Sequence, residues 1–168
     1  MTLGNIFKLI ISIVVSELAG VIGALYTTPA IQSGWYAGLI KPAINPPAWV
    51  FGPAWTTLYA LMGISLFLIW KEHSSILQNV RMFRIWKIGV AVFFIQLALN
   101  TLWSVIFFRL HLLGGAFIEI IFLWLAILVT IIAFAKISRP AAYLLLPYIL
   151  WVAFAAYLNY SIWALNVL

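Results

Sequence analysis

The sequence predicts an all-α integral membrane protein, a five-transmembrane-helix bundle with a lid-like loop between helices 1 and 2. Three observations carry the prediction. Hydrophobic residues make up 67% of the 168 residues and charged residues only 7%, against about 45–50% and roughly 25% in soluble domains. No soluble core of this size hides so much apolar surface, so the solvent is lipid. Five stretches reach the length of about 20 mostly apolar residues that a helix needs to cross a bilayer, and none shows the sustained apolar–polar alternation of a membrane barrel. Apolar stretches recur to the last residue, which a cleaved leader does not explain, so residues 1–168 read as one membrane domain.

The first span, 5–26, carries Ser16, Gly20 and Ala24 at i, i+4 and i+8, with Ala19 and Gly23 as a second small pair. Small residues let helices approach closely in lipid, so this face is expected to press on a neighbouring helix or a second subunit. Glu17 lies midway along it. An intramembrane carboxyl is a functional hypothesis by default, and two readings stay open: a bond to another helix, or a place in or beside a pocket.

The link 27–47 leads into WYAGLIKPAINPPAWVFGPAWTTLY (35–59), too aromatic for a surface loop and too rich in proline for a plain spanning helix. Residues 35–47 read as a proline-stiffened lid. The second span, 48–70, sets Trp55, Tyr59 and Met62 at i, i+4 and i+7. The third, 86–108, places Gln96, Asn100, Trp103 and Phe107 on one stripe. Carboxamides in hydrocarbon are costly unless satisfied, so that stripe faces the bundle interior. The fourth, 112–135, holds Glu119, which reads as structural. The fifth, 140–165, repeats the aromatic-plus-amide pattern with Tyr148, Trp151, Ala155 and Asn159.

Pro53 and Pro147 near the starts of spans 2 and 5 either bend those helices or act as harmless first-turn residues. Trp70, Trp86 and Trp163 fit an interfacial belt; Trp55, Trp103 and Trp151 fit it less well. For the converging faces two readings compete: amides and tyrosines that satisfy one another across helices, or a pocket with apolar walls and a few polar groups.

The nine cations divide unevenly. Lys8, Lys71, Arg81, Arg84, Lys87, Lys136 and Arg139 fall on one side of the membrane, Lys41 and Arg109 on the other. Cationic short loops stay inside, which predicts the N-terminus inside, the C-terminus outside and the lid on the outer face. The net charge of +6 thus reflects topology and the lipid bilayer as partner, with no nucleic acid implied.

Catalysis finds little support. With no cysteine, disulfides and thiolate metal sites are excluded. Glu72, His73 and His111 fall in loops, and neither intramembrane acid has a histidine or second acid at a readable spacing. No nucleophile elbow, phosphate loop or metal cluster is present, so no catalytic residue, metal or cofactor is expected. Redox chemistry using tryptophan beside a light-absorbing ligand stays open. Five spans without an internal repeat weigh against a secondary carrier.

WYAGLIKPAINPPAWVFGPAWTTLYALMG (35–63), QLALNTLWSVIFF (96–108) and PYILWVAFAAYLNYSIW (147–163) resemble the translocator protein family, also called tryptophan-rich sensory protein or peripheral-type benzodiazepine receptor. The resemblance covers nearly the whole chain. It implies a five-helix bundle, commonly a homodimer, whose loop after helix 1 lies over a ligand cavity. Implied ligands are porphyrins such as protoporphyrin IX, isoquinoline carboxamides and benzodiazepines, with cholesterol in mitochondrial members. Carried onto this chain, the cavity is lined by Trp55, Tyr59, Asn100, Trp103, Trp151, Phe154, Ala155 and Leu158. Trp35, Pro42 and Trp49 belong to the lid, and the polar stripes add Gln96 and Tyr148 to the ligand-binding set. Some bacterial members are similar in having two pocket tryptophans tied to light-dependent porphyrin breakdown; the matching positions are Trp55 and Trp151. The sterol motif of animal members needs a cation after the helix 5 tyrosine, and none follows Arg139. High-affinity cholesterol binding is therefore not expected, and a bacterial or archaeal membrane is expected over the mitochondrial one. The function read here is capture of a flat tetrapyrrole or comparable lipophile between helices 1, 2, 3 and 5, with a transporter or a photo-oxidative enzyme as alternatives.

Overall fold

A computed structural model describes residues 2–167. Among them the long elements are all helices: α1 (Leu3–Gln32), α3 (Ala48–Lys71), α5 (Val80–Ser104), α6 (Leu113–Ala135) and α8 (Leu146–Asn166). Short helices α2 (Trp35–Gly38), α4 (His73–Ile76) and α7 (Arg139–Tyr143) lie in the links, and α5 runs on into a π turn at Val105–Arg109. Five segments are long and apolar enough to cross a membrane, the fifth comprising α7 and α8 together. The chain is a multi-pass membrane protein built as a five-helix bundle.

Three boundaries differ from the sequence reading. The first span runs six residues further, through Pro29 to Gln32. A proline inside a helix removes one backbone bond, here the one to the Leu25 carbonyl, and membrane helices tolerate such an interruption. Flanking hydroxyls bond within the helix, Thr27 Oγ1 to the Gly23 carbonyl at 3.2 Å and Ser33 Oγ to the Ala30 carbonyl at 3.1 Å. Gly34, at φ 80°, then turns the chain into the lid. The third span starts at Val80 because Asn79 caps it, its side chain accepting from the Met82 N–H at 3.1 Å. Arg81 and Arg84 therefore sit on the first helical turns rather than in a loop. The fifth span breaks at Leu144–Leu145, and Pro147 stands in the first turn of α8. Pro53, by contrast, lies inside α3.

α1 packs chiefly on α3 and also on α5, while α6 fills the seam between α5 and α8. α3 meets the fifth span mainly through α7, where Ser65 Oγ donates to the Ala141 carbonyl at 2.7 Å. That end also holds Lys8 over the Trp70 ring and the Trp86 Nε1–H bond to Ile69. Its interior is closed by fully buried Phe93, Phe134, Met62, Ile69 and Leu145, with Phe93 stacked on Phe134 at 5.8 Å. Toward the lid, α3 and α8 are held apart by side chains instead of meeting directly. One half of the bundle is thus packed solid, and the other has room.

Candidate functional site

The room is a cavity of about 460 Å³ in the lid-side half, bounded by α1, α3, the end of α5 with its π turn, and α8. Its floor is a chain of side-chain hydrogen bonds. The Tyr59 hydroxyl donates to Asn100 Oδ1, Asn100 Nδ2 donates to the Tyr148 hydroxyl at 3.1 Å, and Tyr148 donates to Gln96 Oε1 at 2.7 Å. The chain ends with Gln96 Nε2 at 3.9 Å from Met62 Sδ. All five residues are at most 5% exposed. The two readings of these faces are therefore both met, at different depths: amides and tyrosines satisfy one another at the floor, and open space lies above them.

The walls are aromatic. Trp55 stacks on Tyr59 at 5.6 Å, Trp103 on Phe107 at 5.1 Å, and Phe51 meets Trp151 edge-on at 6.1 Å. Trp103 is aimed by Asn159, whose Oδ1 accepts its Nε1–H at 2.9 Å while Nδ2 holds the Leu113 carbonyl at 2.9 Å. The π turn brings consecutive Phe107 and Phe108 both to the wall, which a regular helix, advancing about 100° per residue, does less readily. On α1 the small residues make the opposite wall. The Tyr59 ring lies where a Cβ on Gly20 would sit, and Ser104 Oγ lies 3.2 Å from a Cβ built on Gly23. These small residues thus press on α3 and α5.

Of the sequence-predicted ligand residues, Trp49, Trp55, Tyr59, Asn100, Trp103, Trp151, Ala155 and Leu158 lie on this wall. Gln96 and Tyr148 lie beneath it as the floor's second layer. Phe154 stands behind Trp151, at 5.9 Å. Trp35 is also off the wall, stacked on His111 at 4.0 Å and edge-on to Phe107 and Phe108. Within 35–47 the residue on the cavity is its neighbour Tyr36, which donates to Asn45 Oδ1 at 3.2 Å. Burial raises the Tyr36 phenol above its ordinary range, partly opposed by that bond, so it stays a neutral donor. Sequence reading missed Phe51, Ser104 and Phe108, and also the Thr27–Ile31 stretch, because the first span was ended too early.

Charge on the wall is sparse: Glu17 is its one acid, and it holds no Lys, Arg or His. Glu119 is elsewhere, on α6, 7% exposed and with both carboxyl oxygens unpartnered. A buried polar group without a partner costs about 1–3 kcal/mol. Glu119→Leu is accordingly expected to raise stability by about 1 kcal/mol or more, read as a higher melting temperature in detergent. A drop in that temperature would show that the carboxyl makes a stabilising contact.

A sequence model of the TspO/MBR family matches residues 12–164. The "Tryptophan-rich protein TspO" of the archaeon Archaeoglobus fulgidus is 41% identical over 96% of this chain and 99% of its own length. The human "Translocator protein" is 39% identical over 79% of this chain and 75% of its own. The "Tryptophan-rich sensory protein" of Cereibacter sphaeroides is 34% identical over 86% and 85%. A five-span bundle with an aromatic cavity under a proline-rich lid, matched along nearly its whole length to these proteins, belongs to the TspO/MBR family.

Proposed function

We propose that the protein is a membrane receptor-like binder of flat tetrapyrroles, protoporphyrin IX among them, and of comparable aromatic lipophiles. The cavity carries the reading: about 460 Å³, with four tryptophans, Trp49, Trp55, Trp103 and Trp151, on its wall. Small-molecule sites run to about 300–1,000 Å³ with apolar, aromatic linings and few polar groups. Rings on both sides favour a planar ligand lying between them. With no cation on the wall and an acid at Glu17, a ligand's carboxylates stay out of the interior and turn toward the lid, where Lys41 stands over Tyr36 at 4.7 Å.

Trp55 and Trp151 both face the cavity, which supports light-dependent oxidation of a bound porphyrin as a second reading. The charge asymmetry supports insertion with the N-terminus inside and the lid outside, and the lack of a cation after Arg139 supports a bacterial or archaeal membrane over the mitochondrial one.

Purified protein with protoporphyrin IX, in the dark and under light, tests both readings. Dark quenching of tryptophan fluorescence with an unchanged porphyrin spectrum is the expected mark of binding. Trp55→Ala is expected to raise Kd about tenfold, about 1.4 kcal/mol. A spectral change under light that vanishes in Trp55→Phe and Trp151→Phe adds the oxidation. No quenching at micromolar concentrations sinks the tetrapyrrole assignment.

A further inference from the structure

Two boundaries of the cavity, the lid end and the α1–α3 side, are built differently. The lid end is fastened at several points. The Asn166 carboxamide brackets Ile40 like a strand partner, its Oδ1 accepting the Ile40 N–H at 3.0 Å and its Nδ2 donating to the Ile40 carbonyl at 2.9 Å. Trp35 is stacked on His111 across the neighbouring link. Within the lid, Lys41 Nζ holds the Ala37 and Leu39 carbonyls, and Asn45 is bonded to both Tyr36 and Pro46.

The side between α1 and α3 has no such ties. Val21, Ala24 and Thr28 on α1, and Trp49, Gly52 and Thr56 on α3, line the cavity and are also exposed. A residue that is both belongs to a rim. The two helices touch at Ile13–Gly63 and again at Gly20–Tyr59, and the rim begins beyond the second contact. Val21 to Thr28 and Trp49 to Thr56 are eight residues each, about 10 Å of helix from first to last. Ile31 and Ala48 meet the same two conditions; five of these eight rim residues are Gly, Ala or Thr, and a Cβ on Gly52 would meet nothing within 4 Å. Both lips belong to helices long and apolar enough to cross a membrane, so the slot faces sideways from the bundle rather than through the lid.

We propose that the ligand, a planar lipophile dissolved in the bilayer, enters edge-on through this α1–α3 slot, and that the lid is a fixed cover rather than a door. The inference rests on the cavity being a ligand site. It follows from small residues where entry needs clearance and fastened backbone where a moving door would need freedom.

The test uses the full chain in lipid nanodiscs loaded with protoporphyrin IX, followed by the time course of tryptophan quenching. Ala24→Phe and Gly52→Phe narrow the lips at exposed positions. Each is expected to slow both association and dissociation about tenfold or more; weaker binding through faster dissociation alone overturns the slot. Asn166→Ala, which unties the lid, is expected to leave both rates within about twofold. The reverse pattern, unchanged rates in the lip variants and faster exchange in Asn166→Ala, overturns the slot in favour of the lid.

A second measurement needs no ligand. The chain has no cysteine, so a nitroxide on Thr56→Cys reports a single rim site. Stronger relaxation by oxygen dissolved in the bilayer than by a water-soluble nickel chelate is expected; the opposite ranking places the slot in water and overturns the proposal. A wild-type chain that never quenches overturns the ligand assignment alone, and the nitroxide then decides the slot.

Discussion

Gly63→Leu is expected to prevent assembly of the bundle, and Gly63→Ala to lower its stability by about 1–3 kcal/mol. The reason is a backbone contact. A Cβ built on Gly63 falls 2.5 Å from Ile13 Cα and 2.9 Å from Ile13 N. A side-chain tip can swing aside, but a helix backbone cannot. The added methyl must therefore push α1 away from α3 along the interface on which α1 chiefly packs. In lipid no hydrophobic force draws the helices back, because lipid tails solvate apolar side chains as well as a neighbour does. The matched control is Gly52→Ala, where the new Cβ meets nothing within 4 Å. It is expected to be neutral or to gain up to about 1 kcal/mol from helix propensity. Thermal unfolding of the three proteins in one detergent reads the difference. Equal melting temperatures for Gly63→Ala and Gly52→Ala would refute the close crossing.

That contact shows which features of the fold the sequence carried and which it did not. Span number was legible from apolar run length, and the inward faces of spans 3 and 5 because hydrocarbon punishes an unsatisfied amide. Gln96, Asn100 and Asn159 had to turn inward, and the rings one turn away went with them. Gly63 gave no such signal: a lone glycine in an apolar run looks the same whether it meets a backbone or open lipid. The small face of α1 was legible as a close-packing face, but its upper part, at Ala24 and Thr28, borders open space instead.

The π turn at Val105–Arg109 leaves no trace in residue type, and it brought Phe108 to the wall unforeseen. Trp35, expected in the lid and the ligand-binding set, stands off the cavity wall for a related reason. It stacks on His111, a residue at φ 56° in a link whose path the sequence does not specify. Its neighbour Tyr36 took the place facing the cavity. Patterns set by solvation were readable, and those set by local backbone geometry were not.

Asn100→Leu is expected to cost about 2 kcal/mol, and Tyr148→Phe about as much, yet the double variant is expected to cost clearly less than their sum. The direction of the floor's hydrogen bonds explains the shortfall. Met62 sulfur can only accept, so the Gln96 amide N–H faces it and Oε1 faces Tyr148. Tyr148 must then donate to Gln96, and its oxygen accepts from Asn100 Nδ2. The Asn100 oxygen is thereby turned to Tyr59, whose one proton points down into the floor. Each member's orientation depends on the next, so deleting Asn100 leaves the Tyr59 hydroxyl without its acceptor and removes the donor to Tyr148. Deleting the Tyr148 hydroxyl strands Asn100 Nδ2 and Gln96 Oε1. The bond between Asn100 and Tyr148 is lost in both singles and can be lost only once in the double. Coupling within one network of this kind amounts to about 0.5–3 kcal/mol. Single interhelical bonds in membranes are worth about 0.6 kcal/mol on average, so most of the expected cost is stranded polar groups rather than lost attraction. A double variant whose loss equals the sum, measured by reversible unfolding in detergent, would mean that Asn100 and Tyr148 act separately and that the cavity rests on two independent contacts instead of one connected floor.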